Sequence, residues 1–259
     1  MDGGRNGRHT DRATAPVGER RGVSVAWFAA FWHEAVSNDA DRAWLDPLLA
    51  AKPAVLRALS HLPSSIHDPY LDDCRPPAPV LQLCFADVAG LNAARGHLQI
   101  LATPDALRSL FGAAATQRGL RARALPVPEP RQSPAMCSYP AAYEGKSDDL
   151  DARVTHYTTH RTAIMAHFPH IRETEVGTRP HWRGALSWQH GIHVLRSKVV
   201  FDNPARLTAA LNAPLPHDMR ADDATFRKFT GPVTHFPMHT AVVERSRFVG
   251  AVVAPRRGG

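Results

Sequence analysis

The stretch that decides the fold runs from His156 to Glu175 and reads HYTTHRTAIMAHFPHIRETE. Its first part lies in a predicted helix that begins after the cap-like Ser147-Asp-Asp and runs to about Phe168, where Pro169 follows. Five apolar residues share one face of that helix at a period of 3.6: Leu150, Val154, Tyr157, Ile164 and Phe168. Residues 171–178 (IRETEVGT) then predict a strand.

The segments on either side of this stretch predict the rest of one folding unit. A short strand at 137–143 precedes the helix. After 171–178 come a long loop at 179–192, a strand at 194–201, a helix at 204–212 capped by Asp202 or Asn203, a helical piece at 220–226 and a closing strand at 231–243. This βαββαβ order suits a four-stranded antiparallel sheet with both helices on one face.

The first half of the chain repeats this order weakly. It predicts a strand at 23–32, a helix at 39–60, a pairing segment near Ile66, a strand at 79–85, a helix from 87 to 94 and a strand at 118–127. Residues 80–94 match 197–210, and residues 58–63 match 165–169 as a helix end with His before an apolar residue and Pro. Two such units would close into a barrel around a lumen, and chance likeness of two α+β segments is the alternative.

The motif around His156 resembles the EthD-like branch of the dimeric α+β barrel superfamily. The resemblance rests on His156-Tyr-x-x-His160 followed by Phe-Pro-x-Ile-Arg, on residues 201–214 and on Phe229-x-Gly-x-x-Thr-His235. It covers residues 136–243 well and residues 23–128 as a degenerate copy. The chain departs from the family after His160, where Arg161-Thr162 replaces a small residue and Pro.

The resemblance implies an α+β fold in which two ferredoxin-like βαββαβ units form a pseudo-dimeric α+β barrel. The expected organisation is a disordered basic arm at 1–22, a degenerate unit at 23–128, a Pro-rich linker at 129–135, an EthD-like unit at 136–250 and a tail at 251–259.

The resemblance also implies a function. The expected protein is an oxidoreductase or isomerase of catabolism that acts on a small aromatic, lactone or polyketide-like compound in a barrel pocket. It would use His as acid and base without a cofactor. A non-catalytic ligand-binding barrel and a haem-binding member of the superfamily are the alternatives.

Composition restricts the partners. The formal net charge is +7, but more than half of the excess lies in the arm and the tail, so no nucleic-acid partner is expected. No apolar run approaches the length of a membrane span, and three cysteines without a C-x-x-C pair favour the cytoplasm. We expect a monomer or homodimer.

Histidine is the compositional anomaly, with 15 residues in the chain. On the helix, His160 borders the apolar face. On the closing strand, the period of two places His235 and His239 on one face, about 7 Å apart and towards the lumen. Because imidazole titrates near neutral pH, these three histidines are the catalytic candidates. A half-buried structural His160 and a solvent-exposed edge strand are the alternatives.

Aromatic residues supply the candidate substrate-binding groups. Tyr139 and Tyr143 share one face of the first strand of the second unit, and Tyr157 lies on the helix. Trp182 and Trp188 in the long loop could cover a pocket, or could equally anchor the loop on the sheet. His193 completes the predicted binding set.

No metal site is predicted. His156 and His160 have the helical spacing of a chelating pair, but the sequence fixes no third ligand. No cofactor is predicted either, although one lumen histidine could serve as the axial ligand of haem. Isolated glycines exclude a nucleotide-binding fingerprint.

Overall fold

The computed structural model describes residues 23–32, 55–71, 76–77, 80–100, 114–179, 189–190, 193–225 and 229–243. The strands in these ranges are β1 (Val23–Trp32), β2 (Val55–Pro63), β3 (Val80–Phe85), β4 (Ala114–Leu125), β5 (Ala135–Glu144), β6 (Glu173–Thr178), β7 (Gln189–His190), β8 (His193–Phe201), β9 (Val233–His235) and β10 (Met238–Val242). The helices are α1 (Val88–Ala93), α2 (Arg95–Ile100), α3 (Leu150–His156), a π-helical turn (Tyr157–Arg161), α4 (Thr162–Met165), α5 (Pro204–Leu211) and α6 (Leu215–Thr225). Among the described helices, none has the length and apolar character to span a bilayer.

Eight of the strands form a closed antiparallel barrel. Their order is β1-β3-β2-β10-β5-β8-β6-β4, and β4 pairs back onto β1. The short β9 pairs with β5, and β7 adds in parallel to β4. The expected α+β class is therefore confirmed, with the barrel as its centre.

Contacts between strands that are not neighbours show which side chains face the interior. Arg57 of β2 reaches Glu173 of β6 at 2.9 Å, and Lys198 of β8 reaches Gln82 of β3 at 3.2 Å. These contacts can only cross the barrel. A small apolar cluster, which includes Phe28, Leu120 and Met238, fills another part of the interior.

The interior carries a connected polar network. Gln82 donates to Glu175 at 3.0 Å, and its carbonyl oxygen lies 3.3 Å from His61 Nε2. The other ring nitrogen of His61 lies 2.9 Å from the Thr240 hydroxyl. Burial, reinforced by Lys198, lowers the pKa of His61 well below its usual range, so this histidine stays neutral.

The outer face of the barrel packs against the helices of the second half. Alternate residues of β5 and β8, among them Tyr143 and Leu195, belong to one core cluster with residues of α3, α4 and α5. The predicted cap is confirmed for α5, where Asn203 Oδ1 accepts from the Arg206 amide at 3.0 Å and Pro204 stands at the helix start.

The prediction of a helix at 39–60 is wrong from residue 55 onward, where β2 runs instead; residues 39–54 lie outside the described residues. A register shift between Val55 and Arg57 breaks the period of the strand. Both faces of β2 are largely buried, so apolar and polar residues do not alternate. The match of 58–63 to a helix end fails for the same reason, and the segment near Ile66 forms no strand.

The closing strand is predicted as continuous at 231–243, but it is interrupted at Phe236-Pro237, between β9 and β10. Pro237 has no amide hydrogen to donate to a ladder. After the break, Met238 and Thr240 point into the barrel, so His239 lies on the opposite side and is exposed. Because β9 and β10 pair with β5 in one register, His235 shares this outer face with His239. The prediction that both histidines face the lumen is therefore wrong, and His235 lines a cleft outside the barrel instead.

Candidate functional site

A cleft lies between the outer face of the barrel and the helices of the second half. Its volume is about 90 Å³, and one side opens to solvent. The lining comes from β5, β8, β9, from the helical segments between Tyr157 and Arg220, and from the loop that follows β2. Most of the lining is apolar or aromatic, which suits a small, largely apolar ligand.

Two buried tyrosines form the floor of the cleft. Tyr143 Oη donates to Tyr157 Oη at 3.4 Å, and Tyr157 Oη donates to Ser197 Oγ at 2.7 Å. Burial raises the pKa of both phenols, in Tyr143 well above its usual value. Both side chains are therefore neutral hydrogen-bonding groups at physiological pH and cannot serve as bases.

A buried carboxylate enters the cleft from the first half of the chain. The Tyr139 hydroxyl donates to Asp68 Oδ2, and the Tyr70 amide donates to Asp68 Oδ1 at 2.8 Å. Asp68 is 8% exposed. Asp68-Pro-Tyr is a turn-type sequence that could have signalled this residue, but nothing in the sequence connects it with Tyr139.

The imidazole of His235 lies against the Tyr139 ring. The two rings are stacked, with centroids 5.6 Å apart and an interplanar angle of 23°. Pairing of β9 with β5 sets Ala141 opposite His235 and fixes its position. The side chain is half-buried and lines the cleft, so it can contact a bound molecule.

A cation also reaches the cleft. Arg161 lies in the π-helical turn, donates to the backbone carbonyl of Met219 and contacts Asp222 Oδ2 at 3.1 Å. π-Helical turns are rare in proteins, and many of those that occur lie at functional sites. The sequence marks Arg161 only as a departure from the family pattern, so its contacts with Met219 and Asp222 are not predicted.

The open side of the cleft is bordered by a small cluster, the rim, formed by Tyr70, His217 and Arg220. The Arg220 guanidinium lies 4.1 Å from the centre of the Tyr70 ring and donates to the Tyr70 carbonyl at 3.1 Å. The Tyr70 hydroxyl lies 3.2 Å from His217 Nε2. The rim joins the loop after β2 to α6.

The structure brings together four of the predicted site residues: Tyr139, Tyr143, Tyr157 and His235. His160 has a 60% exposed side chain that contacts Asp222 instead of the cleft, and His239 is exposed on β10. The backbone of His193 begins β8 and pairs with Glu144. Trp182 and Trp188 lie outside the described residues.

No known protein family and no curated protein sequence matches the chain. Solved structures do match. A candidate monooxygenase of Fusobacterium nucleatum subsp. nucleatum superposes with a TM-score of 0.57 at 6% identity, over 86% of this chain and 95% of its own. An anthrone oxidase-like protein superposes with a TM-score of 0.54 at 10% identity, over 91% of this chain and 98% of its own. The chain shares the α+β barrel fold of these two proteins.

An EthD family protein of Bacillus halodurans C-125 also matches, with a TM-score of 0.33 at 20% identity, over 39% of this chain and 95% of its own. At 6% and 10% identity, the likeness of the first two structures shows the α+β barrel fold alone. Activity has to be argued from the cleft of this particular α+β barrel, since one fold supports many functions.

Proposed function

We propose that this α+β barrel is a small-molecule enzyme, an oxidoreductase or isomerase, that removes a proton from an aromatic or lactone-type compound bound in the cleft. The observation that carries the proposal is the grouping of His235, Tyr139 and the buried Asp68 in an otherwise apolar pocket. Imidazole, phenol and carboxylate are the groups that general acid–base catalysis uses.

His235 is the proposed base. An imidazole accepts a proton readily near neutral pH, and stacking on Tyr139 in the cleft lining would bring His235 beside a bound ring. Asp68 holds the Tyr139 hydroxyl by its hydrogen bond and so fixes the phenol ring on which His235 stacks. A carbon-bound or hydroxyl proton of the substrate passes to His235 Nδ1 or Nε2.

The anion that remains has partners in the cleft. The Arg161 guanidinium, which lines the cleft, supplies positive charge. The hydroxyl hydrogen of Tyr143, whose bond to Tyr157 is long at 3.4 Å, can be redirected to the anion, whereas that of Tyr157 stays with Ser197. Donors that are already in place as negative charge develops lower the barrier to proton removal.

Two outcomes follow from this anion. Return of the proton to a different carbon gives an isomer. Reaction with dioxygen, the oxidant in the second outcome, converts a CH₂ group and O₂ into a C=O group and H₂O. The names of two structural neighbours, a candidate monooxygenase and an anthrone oxidase-like protein, support the oxidative outcome.

The volume of the cleft limits the size of the substrate. A cavity of about 150 Å³ accommodates benzene, so about 90 Å³ with one open side suits a single ring that extends into the mouth of the cleft. A porphyrin is several times larger than benzene. The cleft as described therefore does not fit haem, and no step is derived through it.

We propose in addition that the two halves are tandem ferredoxin-like units. The support is the order of the strands in the barrel. The four strands of the first half lie side by side as β4-β1-β3-β2, which is the order 4-1-3-2. If β5, β6, β8 and β10 of the second half are numbered 1 to 4, they lie side by side as β10-β5-β8-β6, which is the same order. Cleavage at a protease site introduced into residues 126–134 should leave two fragments that remain associated and folded. Loss of the fold on cleavage would contradict two units.

The functional proposal is tested with single-ring compounds that carry an acidic CH₂ group, namely unsaturated five-membered lactones and aryl ketones with a CH₂ between ring and carbonyl. Proton removal is followed by exchange of substrate hydrogen for deuterium in D₂O, and oxidation by oxygen consumption. His235→Ala should reduce both rates at least about 100-fold, whereas His167→Ala, at an exposed histidine away from the cleft, should leave them unchanged.

His239→Ala tests the remaining histidine of the last strands and should retain activity, because its side chain is exposed. Binding of these compounds without exchange or oxidation would favour a non-catalytic ligand-binding barrel. Unaltered rates in His235→Ala would overturn the assignment of the base.

A further inference from the structure

Three side chains converge outside the cleft, on the other side of Arg161. His156 ends α3, His160 follows one turn later in the π-helical turn, and Asp222 comes from α6. One ligand atom from each residue lies within 4.8 Å of the other two. Asp222 Oδ1 is 2.7 Å from His160 Nδ1 and 3.6 Å from His156 Nε2.

Two imidazoles and one carboxylate form a ligand set that suits Zn²⁺ and related first-row divalent ions. With metal–ligand distances near 2.1 Å, ligand atoms of a tetrahedral site lie roughly 3.4 Å apart. The two measured separations, 2.7 and 3.6 Å, lie on either side of that value. Small side-chain rotations would bring all three atoms to coordination distance.

The carboxylate of Asp222 gives independent support. Its side chain is 3% exposed, and Oδ2 accepts from Arg161 Nη1 at 3.1 Å. Oδ1 is buried and accepts no aligned hydrogen bond from any residue that the structure describes. A buried carboxylate oxygen without such a bond is costly, and it faces the two imidazoles.

Arg161 has the place that an outer-shell partner takes in metal sites. By holding Oδ2, it orients the carboxylate and leaves Oδ1 directed at the histidines. The imidazoles are accessible, with side chains 38% exposed for His156 and 60% exposed for His160. Solvent can therefore reach the remaining coordination positions.

We propose that His156, His160 and Asp222 bind one divalent transition-metal ion of the Zn²⁺ type, with water as the additional ligand. The ion would connect the π-helical turn to α6, the helix that contributes Met219 and Arg220 to the cleft. It would hold the helical wall of the cleft in place without touching the substrate. The sequence predicted no metal because Asp222, far along the chain, was not connected with the histidine pair.

The test uses the full-length, metal-free protein titrated with Co²⁺, whose visible absorption reports coordination. The expected result is one tightly bound Co²⁺ per chain. His160→Ala should weaken binding at least about tenfold, the loss that even an outer-shell partner can cause. His167→Ala is the matched control, because it also removes one exposed histidine. It should bind Co²⁺ as tightly as the wild type does.

A second measurement separates binding at this site from weak binding elsewhere. Zn²⁺ should raise the melting temperature of the wild type and of His167→Ala, and should raise it less in His160→Ala and Asp222→Asn. Because the His160 side chain is exposed, this variant should keep its circular dichroism spectrum. Equal Co²⁺ affinity of the wild type and His160→Ala, or no Co²⁺ absorption band in the wild type, would overturn the proposal.

Discussion

The hydroxyl of Tyr139 donates a hydrogen bond to Oδ2 of Asp68, so a residue of the first half of the chain completes a cleft built on the second half. Asp68→Asn keeps the shape of the side chain and removes its charge. Tyr139→Phe removes the hydroxyl. If the pair orients the proposed base, each substitution should lower the exchange rate in D₂O about 10-fold to 100-fold, since a displaced base transfers protons poorly.

The control for these two variants is Asp151→Asn, because Asp151 is an exposed aspartate of α3. It should retain the wild-type exchange rate. Melting curves of all three variants distinguish loss of activity from loss of fold. Wild-type exchange rates in both Asp68→Asn and Tyr139→Phe would show that the pair has no part in the reaction.

The rim should control the size of the substrate. Tyr70→Ala removes the ring that packs under the Arg220 guanidinium and widens the open side of the cleft. We expect kcat/KM for two-ring aryl ketones to rise several-fold relative to single-ring aryl ketones. Tyr70→Phe keeps the ring and should behave as the wild type; an unchanged preference in Tyr70→Ala would show that the rim does not limit access.

Stability should fall in acid through Glu173. Burial alone would raise the pKa of this carboxyl, but Lys198 and Arg57 lower it to about 2, below its ordinary value of 4.5. A lowered native pKa contributes stability above pH 4.5, and that contribution is lost as pH falls from 4.5 towards 2. Urea unfolding across this range should show the decline.

Glu173→Gln leaves Arg57 without its carboxylate partner in the barrel. It should lower the free energy of unfolding by about 3 kcal/mol at neutral pH and flatten the decline in acid. Glu129→Gln, which changes an exposed ion pair with Arg172, should have a much smaller effect. An acid profile of Glu173→Gln parallel to that of the wild type would contradict this role of Glu173.

The turn after β5 should tolerate no side chain. Gly145 has φ of +85°, and a Cβ there would meet the Gly231 backbone and lie 2.6 Å from the Thr230 hydroxyl oxygen. Gly145→Ala should therefore destabilise the fold by about 1–3 kcal/mol, measured as a lower melting temperature. At Gly96, in α2, a Cβ would meet nothing within 4 Å, so Gly96→Ala should be neutral or stabilising. Equal melting temperatures of the two variants would show that the Gly231 backbone does not exclude a side chain at residue 145.

The second half of the fold could be predicted because its signals are local. The Asn203-Pro204 cap and the apolar periods of β5 and β8 depend on neighbours within a few residues. In the first half, the prediction was wrong at β2. There Arg57 and His61 lie inside the barrel, where residues of distant strands form their ion pair and hydrogen bond. A polar residue on a buried face has no local signal, because what stabilises it lies elsewhere in the chain.

The residues of the candidate site also fall into those that local sequence signals predict and those that they do not. Tyr139, Tyr143 and Tyr157 were found because aromatic residues at strand and helix spacing point to a common surface. Asp68 and Arg161 were missed, since their importance arises from contacts with Tyr139 and with α6. The period of two continues across Phe236-Pro237, since β9 and β10 pair with β5 in one register. Which of the two faces is directed towards the lumen depends on the closure of the whole barrel and has no local signal.

The pairing of β4 with β1 closes the barrel within one polypeptide. Closure is therefore a unimolecular event, with an effective concentration set by the connecting chain and not by the amount of protein present. Dilution cannot open such a barrel, whatever the oligomeric state. The two halves are also free to diverge in sequence, because a mutation on one side of the barrel is not repeated on the other.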